Sequence, residues 1–163
     1  MFCRSQGISD RRASRKKRDG DWRRLSAADR NGSARRDAPA KDSDLHLESD
    51  IRAAKDNKNG FAQGDWIPYL AVDYELTKLD GNETRKGEFM AMVANDGPHY
   101  GDNVKMMGPG KYRLTLTIAP PSENQHAHFG RHVDKETGVA PWFKTFAVEY
   151  EFTYAGIGKK GAY

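Results

Sequence analysis

From Leu45 onward, hydrophobic and polar residues alternate with the period of a β-strand. Leu45, Leu47 and Ile51 share one face, with His46, Glu48 and Asp50 on the other. The same alternation runs through Leu70, Val72, Tyr74 and Leu76, then Tyr112, Leu114, Leu116 and Ile118, and finally Phe146, Val148, Tyr150, Phe152 and Tyr154. Phe89 to Val93 is apolar on both faces, with Met90 and Met92 opposite Phe89, Ala91 and Val93. Turn chemistry separates these runs at Asp80-Gly81-Asn82, Asn95-Asp96-Gly97-Pro98, Gly108-Pro109-Gly110 and Pro120-Pro121. Short alternating strands with Gly, Pro and Asn connections, and no amphipathic helix of useful length, predict an all-β antiparallel sandwich over residues 45–163.

Residues 1–44 have neither period. They are rich in Arg, Asp, Ser, Ala and Gly, and too little apolar surface is present to offset the entropy of ordering, so a disordered segment is expected. Charge divides at the same place. Residues 1–44 carry 13 Lys/Arg against 7 Asp/Glu, a net of +6, and residues 45–163 carry 14 against 16, a net of −2. The whole positive balance of +4 therefore sits in the arm. No apolar run approaches the roughly 20 residues that span a bilayer. The charged stretch from Arg4 to Arg36 lacks the apolar centre of a secretory signal, and the single cysteine, Cys3, has no disulfide partner in the chain.

The histidines are His46, His99, His126, His128 and His132, none in a zinc-finger, His-Glu-x-x-His or P-loop pattern, and no Gly-x-Ser-x-Gly elbow is present. No carboxylate pair stands out for acid–base work, and no catalytic residue is assigned. What the spacing does offer is a set of donors. His46 and Glu48 leave one face of one strand, Met92 leads toward the turn that carries His99, and His132 follows Phe129-Gly130-Arg131. Imidazole, carboxylate and thioether together suit copper or another late first-row metal, the soft thioether favouring copper over magnesium or calcium. Plainer readings stand beside this one: a solvated strand face for His46, core filler for Met92, a surface turn for His99, a weak surface chelate for His126 and His128. Trp66, Trp142, Tyr69 and Tyr74 read most simply as core or sheet-face aromatics.

Longer stretches carry a resemblance. His46-Leu47-Glu48-Ser49-Asp50-Ile51, Gly60 to Leu70, Phe89 to Gly101, Met107 to Tyr112 and Gly130 to Trp142 resemble the periplasmic iron-transport proteins that work beside an Ftr-type inner-membrane iron permease. The resemblance covers about residues 45–163. It implies an immunoglobulin-like sandwich that forms a homodimer in the periplasm, with a copper site near the dimer interface and iron as the transported metal. The implied metal ligands are His46, Glu48, Met92, His99 and His132. The partners are a second copy and the permease, with no stable membrane insertion and no nucleic acid, and no enzymatic activity is implied.

Two departures stand out. Relatives carry a second His after the His-Leu-Glu motif where this chain has Arg52, and a fixed cation does not ligate a metal, so an accessory site is in doubt. His126 and His128 are extra and stand as partial substitutes. Residues 1–44 do not match the family. Read one base out of frame, the codons of residues 6–31 permit the family's missing Tyr-Pro-Ile-Gly and Ala-Val-Tyr-Leu-Gln-Pro segments, so residues 1 to about 37 are expected to be an out-of-frame translation. On that reading the basic arm has no evolved role and the sandwich lacks its first strand. Two alternatives remain at this point: a nucleic-acid-binding module using the arm, and a structural sandwich without metal.

Overall fold

The computed structural model describes the backbone of Phe2–Gln6 and residues 42–81 and 83–156. Among these, seven strands form: β1 (Phe2–Gln6), β2 (Leu45–Arg52), β3 (Ala71–Lys78), β4 (Thr84–Ala94), β5 (Gly97–Val104), β6 (Gly110–Ala119) and β7 (Phe146–Tyr154). They follow one another in the order β1-β2-β5-β4-β3-β6-β7. The expected strands of β2, β3, β6 and β7 lie where the alternation put them, because one face of each is buried or, in β7, half-buried, and a slip of one residue would expose it.

β4 changes partner along its length. Thr84 to Phe89 pairs with β3, and Met90 to Ala94 pairs with β5. The sheet therefore curls into two layers, β1-β2-β5-β4 and β4-β3-β6-β7. This is the strand order of an immunoglobulin sandwich, with β4 shared between the layers. All pairings are antiparallel except β1 with β2, which is parallel. β1 thus forms a strand within the segment expected to lack order; the rest of residues 1–41 lies outside the described residues, as does the side chain of Cys3.

Leu47 and Ile51 from β2, Tyr100 and Val104 from β5, Val72, Tyr74 and Leu76 from β3, and Leu114, Leu116 and Ile118 from β6 meet in one core. Two tyrosines fasten the layers. The Tyr100 hydroxyl donates to the Ile67 carbonyl at 2.8 Å and accepts from the Leu70 amide at 2.9 Å. The Tyr74 hydroxyl donates to Asp102 Oδ2 at 3.0 Å. Burial pushes the Tyr100 phenol above its ordinary range, favouring the neutral hydroxyl that makes both bonds.

The turn expected at Asn95-Asp96-Gly97-Pro98, carrying His99, is shorter: it lies at Asn95-Asp96, and Gly97 to Val104 is strand β5. Phe89 to Val93, apolar on both faces, is unevenly covered: Phe89 is buried, Met90 and Met92 are half-buried on the other face, and Val93 is 78% exposed. There β4 runs past the end of the core, and its last inward positions, Ala91 and Val93, are exposed among the described residues. Of the aromatics, Tyr74 is core and Trp66 stacks on Tyr100 at 5.0 Å, whereas Tyr69 and Trp142 both pack on Phe129 outside the core.

Replacing Tyr100 by Phe leaves a buried amide and a buried carbonyl without their shared partner. The expected loss is about 1–3 kcal/mol of unfolding free energy, read from urea unfolding; an unchanged midpoint would remove this hydroxyl from the account of how the layers are held.

Candidate metal centre

Cross-strand register brings the donors together. In β2 and β5, His46 pairs with Asn103 and Glu48 with Gly101. In β5 and β4, Met92 pairs with His99 and Met90 with Gly101. Directly opposed residues of an antiparallel pair share a face, so His46, Glu48, His99, Gly101, Asn103, Met90 and Met92 all lie on the face turned away from the core. Leu47, Ser49 and Tyr100, at the intervening positions, point inward.

On this outer face one ligand atom each from His46, Glu48 and His99 lies within 4.8 Å of the others. His99 Nε2 is 3.6 Å from Glu48 Oε2, and the His46 and His99 rings meet edge to face with centroids 5.8 Å apart. The side chains of His99 and Glu48 are only 8% and 11% exposed. His46 Nδ1 is 2.9 Å from Asn103 Oδ1, which leaves Nε2 for another partner.

The donor set fits a divalent ion. Two nitrogen or oxygen donors on one ion, each about 2.0–2.2 Å from it, can be no more than about 4.4 Å apart. The Glu48–His99 separation already satisfies that limit, and the 4.8 Å bound on the others exceeds it by only a few tenths of an ångström, a gap that side-chain rotation can close. Holding a carboxylate so far withdrawn from water in its charged form is costly, a cost that a bound cation offsets. Two imidazoles with one carboxylate suit the late first-row metals rather than magnesium or calcium.

The other expected ligands are placed differently. Met92 stands directly across from His99 and Met90 across from Gly101, so both thioethers share the outer face. His132 is not among the three that converge. Its side chain is 77% exposed, with Nδ1 3.0 Å from Thr137 Oγ1 and 3.4 Å from Asp134 Oδ2. The Thr137 amide and hydroxyl, both bonded to Asp134, hold that carboxyl below the usual carboxylate range. His126 Nε2 lies 3.4 Å from Glu88 Oε2 on an exposed loop, and His128 is exposed nearby. Arg52 donates to the Gly64 carbonyl at 3.2 Å and lies 3.8 Å from Asp50, a fixed cation on the face of β2 that carries His46 and Glu48.

Gly101 and Asn103 were not singled out from the sequence. The signal was there: with His99 they occupy alternate positions, 99, 101 and 103, of one strand. A Cβ built on Gly101 would fall 2.6 Å from His46 Nε2 and 2.9 Å from the Leu47 carbonyl, so the ring occupies the space that a side chain would take.

A family model described as Fe2+ transport protein matches residues 25–156. A UPF0423 protein of Brucella abortus is 75% identical over 125 residues, which is 77% of this chain and 69% of that one. The copper-bound structure of a FetP variant from uropathogenic Escherichia coli strain F11 matches with 49% identity and a TM-score of 0.75, covering 82% of this chain and 86% of that one. FetP was also solved as isolated after recombinant expression in the periplasm of Escherichia coli; it is 51% identical with a TM-score of 0.72, over 78% of this chain and 83% of that one. A copper-bound variant of Campylobacter jejuni P19 matches with 44% identity and a TM-score of 0.76, over 83% and 87% of the two chains.

Metal binding at these donors must stabilise the folded chain. At free copper about 100-fold above its dissociation constant the gain is about 2.7 kcal/mol, visible as a raised melting temperature. His99→Ala should abolish that rise; a variant stabilised as much as the wild type would place the binding elsewhere.

Proposed function

The chain belongs to the Fe2+ transport protein family, and from that premise we propose that it is the metal-binding component of a bacterial iron-uptake system. It acts in the periplasm as a homodimer, binding copper and iron and supporting iron delivery to an inner-membrane permease. The observation that carries this reading is the convergence of His46, Glu48 and His99 on one sheet face, in a chain that is 49% identical to a copper-bound relative.

Each residue has a physical role in capture. His46 and His99 present neutral imidazole lone pairs, and Glu48 supplies the negative charge that holds a divalent ion. Met92 is the thioether ligand: its register position opposite His99 supports it over Met90, which faces a glycine. A soft sulfur beside two imidazoles biases the site toward copper. His132 completes the site from a second copy, a reading supported by its exposed position away from the three convergent donors within its own chain. The protein's work is then binding and hand-over, with no bond-making step assigned to any side chain.

The arm belongs to the proposal as well. Residues 1 to about 37 are read as an out-of-frame translation joined to the metal-binding domain; the family model's match begins at residue 25, so residues 1–24 are the part that lies wholly outside it. Sequencing the gene decides this, and an intact in-frame upstream region without the alternative reading would end it.

Copper titration tests the ligand set. Met92→Leu/His99→Ala should bind copper far more weakly than the wild type, and Met90→Leu should bind close to it; equal affinity of the double variant and the wild type would refute the assignment. Protons compete with the metal for imidazole lone pairs. Affinity should therefore fall as the pH is lowered from about 8 to about 5, the range in which histidines take up protons, and a flat profile would exclude imidazole ligation.

A further inference from the structure

The outer face of β5 carries more than a ligand. We propose that Asn103 is a positioning residue that fixes the proton of His46 on Nδ1, so that Nε2 is always the lone-pair nitrogen turned toward Glu48 and His99. This rests on the metal-centre reading for its purpose, but not for its geometry.

A neutral imidazole has one proton and two nitrogens, and which nitrogen carries the proton is set by the partner of the other. His46 Nδ1 lies 2.9 Å from Asn103 Oδ1, an amide oxygen that can only accept. With that contact made, the proton sits on Nδ1 and Nε2 is bare. Were the amide turned so that its NH2 faced the ring, Nδ1 would accept and Nε2 would carry the proton, and no ion could be bound there. The pairing is built into the sheet, because His46 and Asn103 are directly opposed in the β2–β5 register.

Gly101 completes the device. The His46 ring lies over it, with Nε2 and Cε1 at 2.6 Å and 3.1 Å from where a Cβ would stand. Gly101 is in turn opposed to Glu48 on β2 and to Met90 on β4. The ring is thus held at one nitrogen by Asn103 and laid across a gap that leads its other nitrogen into the row of Glu48. An acceptor on the far nitrogen also raises the basicity of the ligating one, and loss of such a partner typically weakens metal binding 10- to 100-fold.

Nitrogen-15 NMR of the metal-free protein reads the tautomer directly, and a copper competition titration reads the consequence. The wild type should show His46 as the Nδ1–H form. Asn103→Leu, of similar size but without an acceptor, should lose that preference and bind copper roughly 10- to 100-fold more weakly. Asn103→Asp keeps an acceptor and should restore both, which a merely structural role for the amide would not produce. An Nε2–H tautomer in the wild type, or an Asn103→Leu variant that keeps both the tautomer and the affinity, would overturn the proposal. Loss of the Nδ1–H form in Asn103→Leu, in a protein whose wild type binds no copper, would support the positioning while defeating the metal reading itself.

Discussion

The pairing of β2 with β5 is the constraint on which the site depends. Glu48 opposite Gly101 and His46 opposite Asn103 put two donors of one strand beside the third, His99, on the next. Because side chains alternate with a period of two, a slip of one residue would turn Leu47 and Ile51 outward and drive His46 and Glu48 into the core. Burial of that apolar face, together with the grip of Tyr100 on the Ile67–Leu70 segment, therefore locks the polar face as well. Core packing and ligand geometry are two sides of one register.

The same arrangement explains why such a site is tolerable without a covalent clamp. Three polar side chains sit on the outer sheet face, where the hydrophobic core is not interrupted, yet His99 and Glu48 are largely withdrawn from water. That withdrawal strengthens attraction to a cation, since less solvent screens it. The layers themselves are joined elsewhere, through Tyr74 with Asp102 and through the shared strand β4. Side-chain rotations of a few tenths of an ångström at the metal donors need not disturb those fastenings.

Much of this was legible in the alternation of residues. β2, β3, β6 and β7 each turn one largely apolar face toward the core, half-buried in β7, and period two reports that directly. His46 and Glu48 follow from the same pattern, being two apart on one strand. β5 was not legible: Gly97, Pro98, Gly101, Asp102 and Asn103 are turn formers, and the strand forms because β2 and β4 flank it on both sides while Tyr100 and Val104 fill the core. Tertiary pairing overrides local preference there. Gly101 and Asn103 escaped notice for the same reason, since their relation to His46 exists only across strands. His132 lies in a long connection without periodicity, so no local pattern places it relative to the other donors.

An anomalous difference map from crystals of the copper-loaded protein, collected at the copper edge, tests the central claim most directly. One strong peak should lie about 2.0–2.2 Å from nitrogens of both His46 and His99, with Glu48 beside it. A strongest peak elsewhere, such as between His126 and Glu88, with nothing at the three convergent donors, would contradict the account.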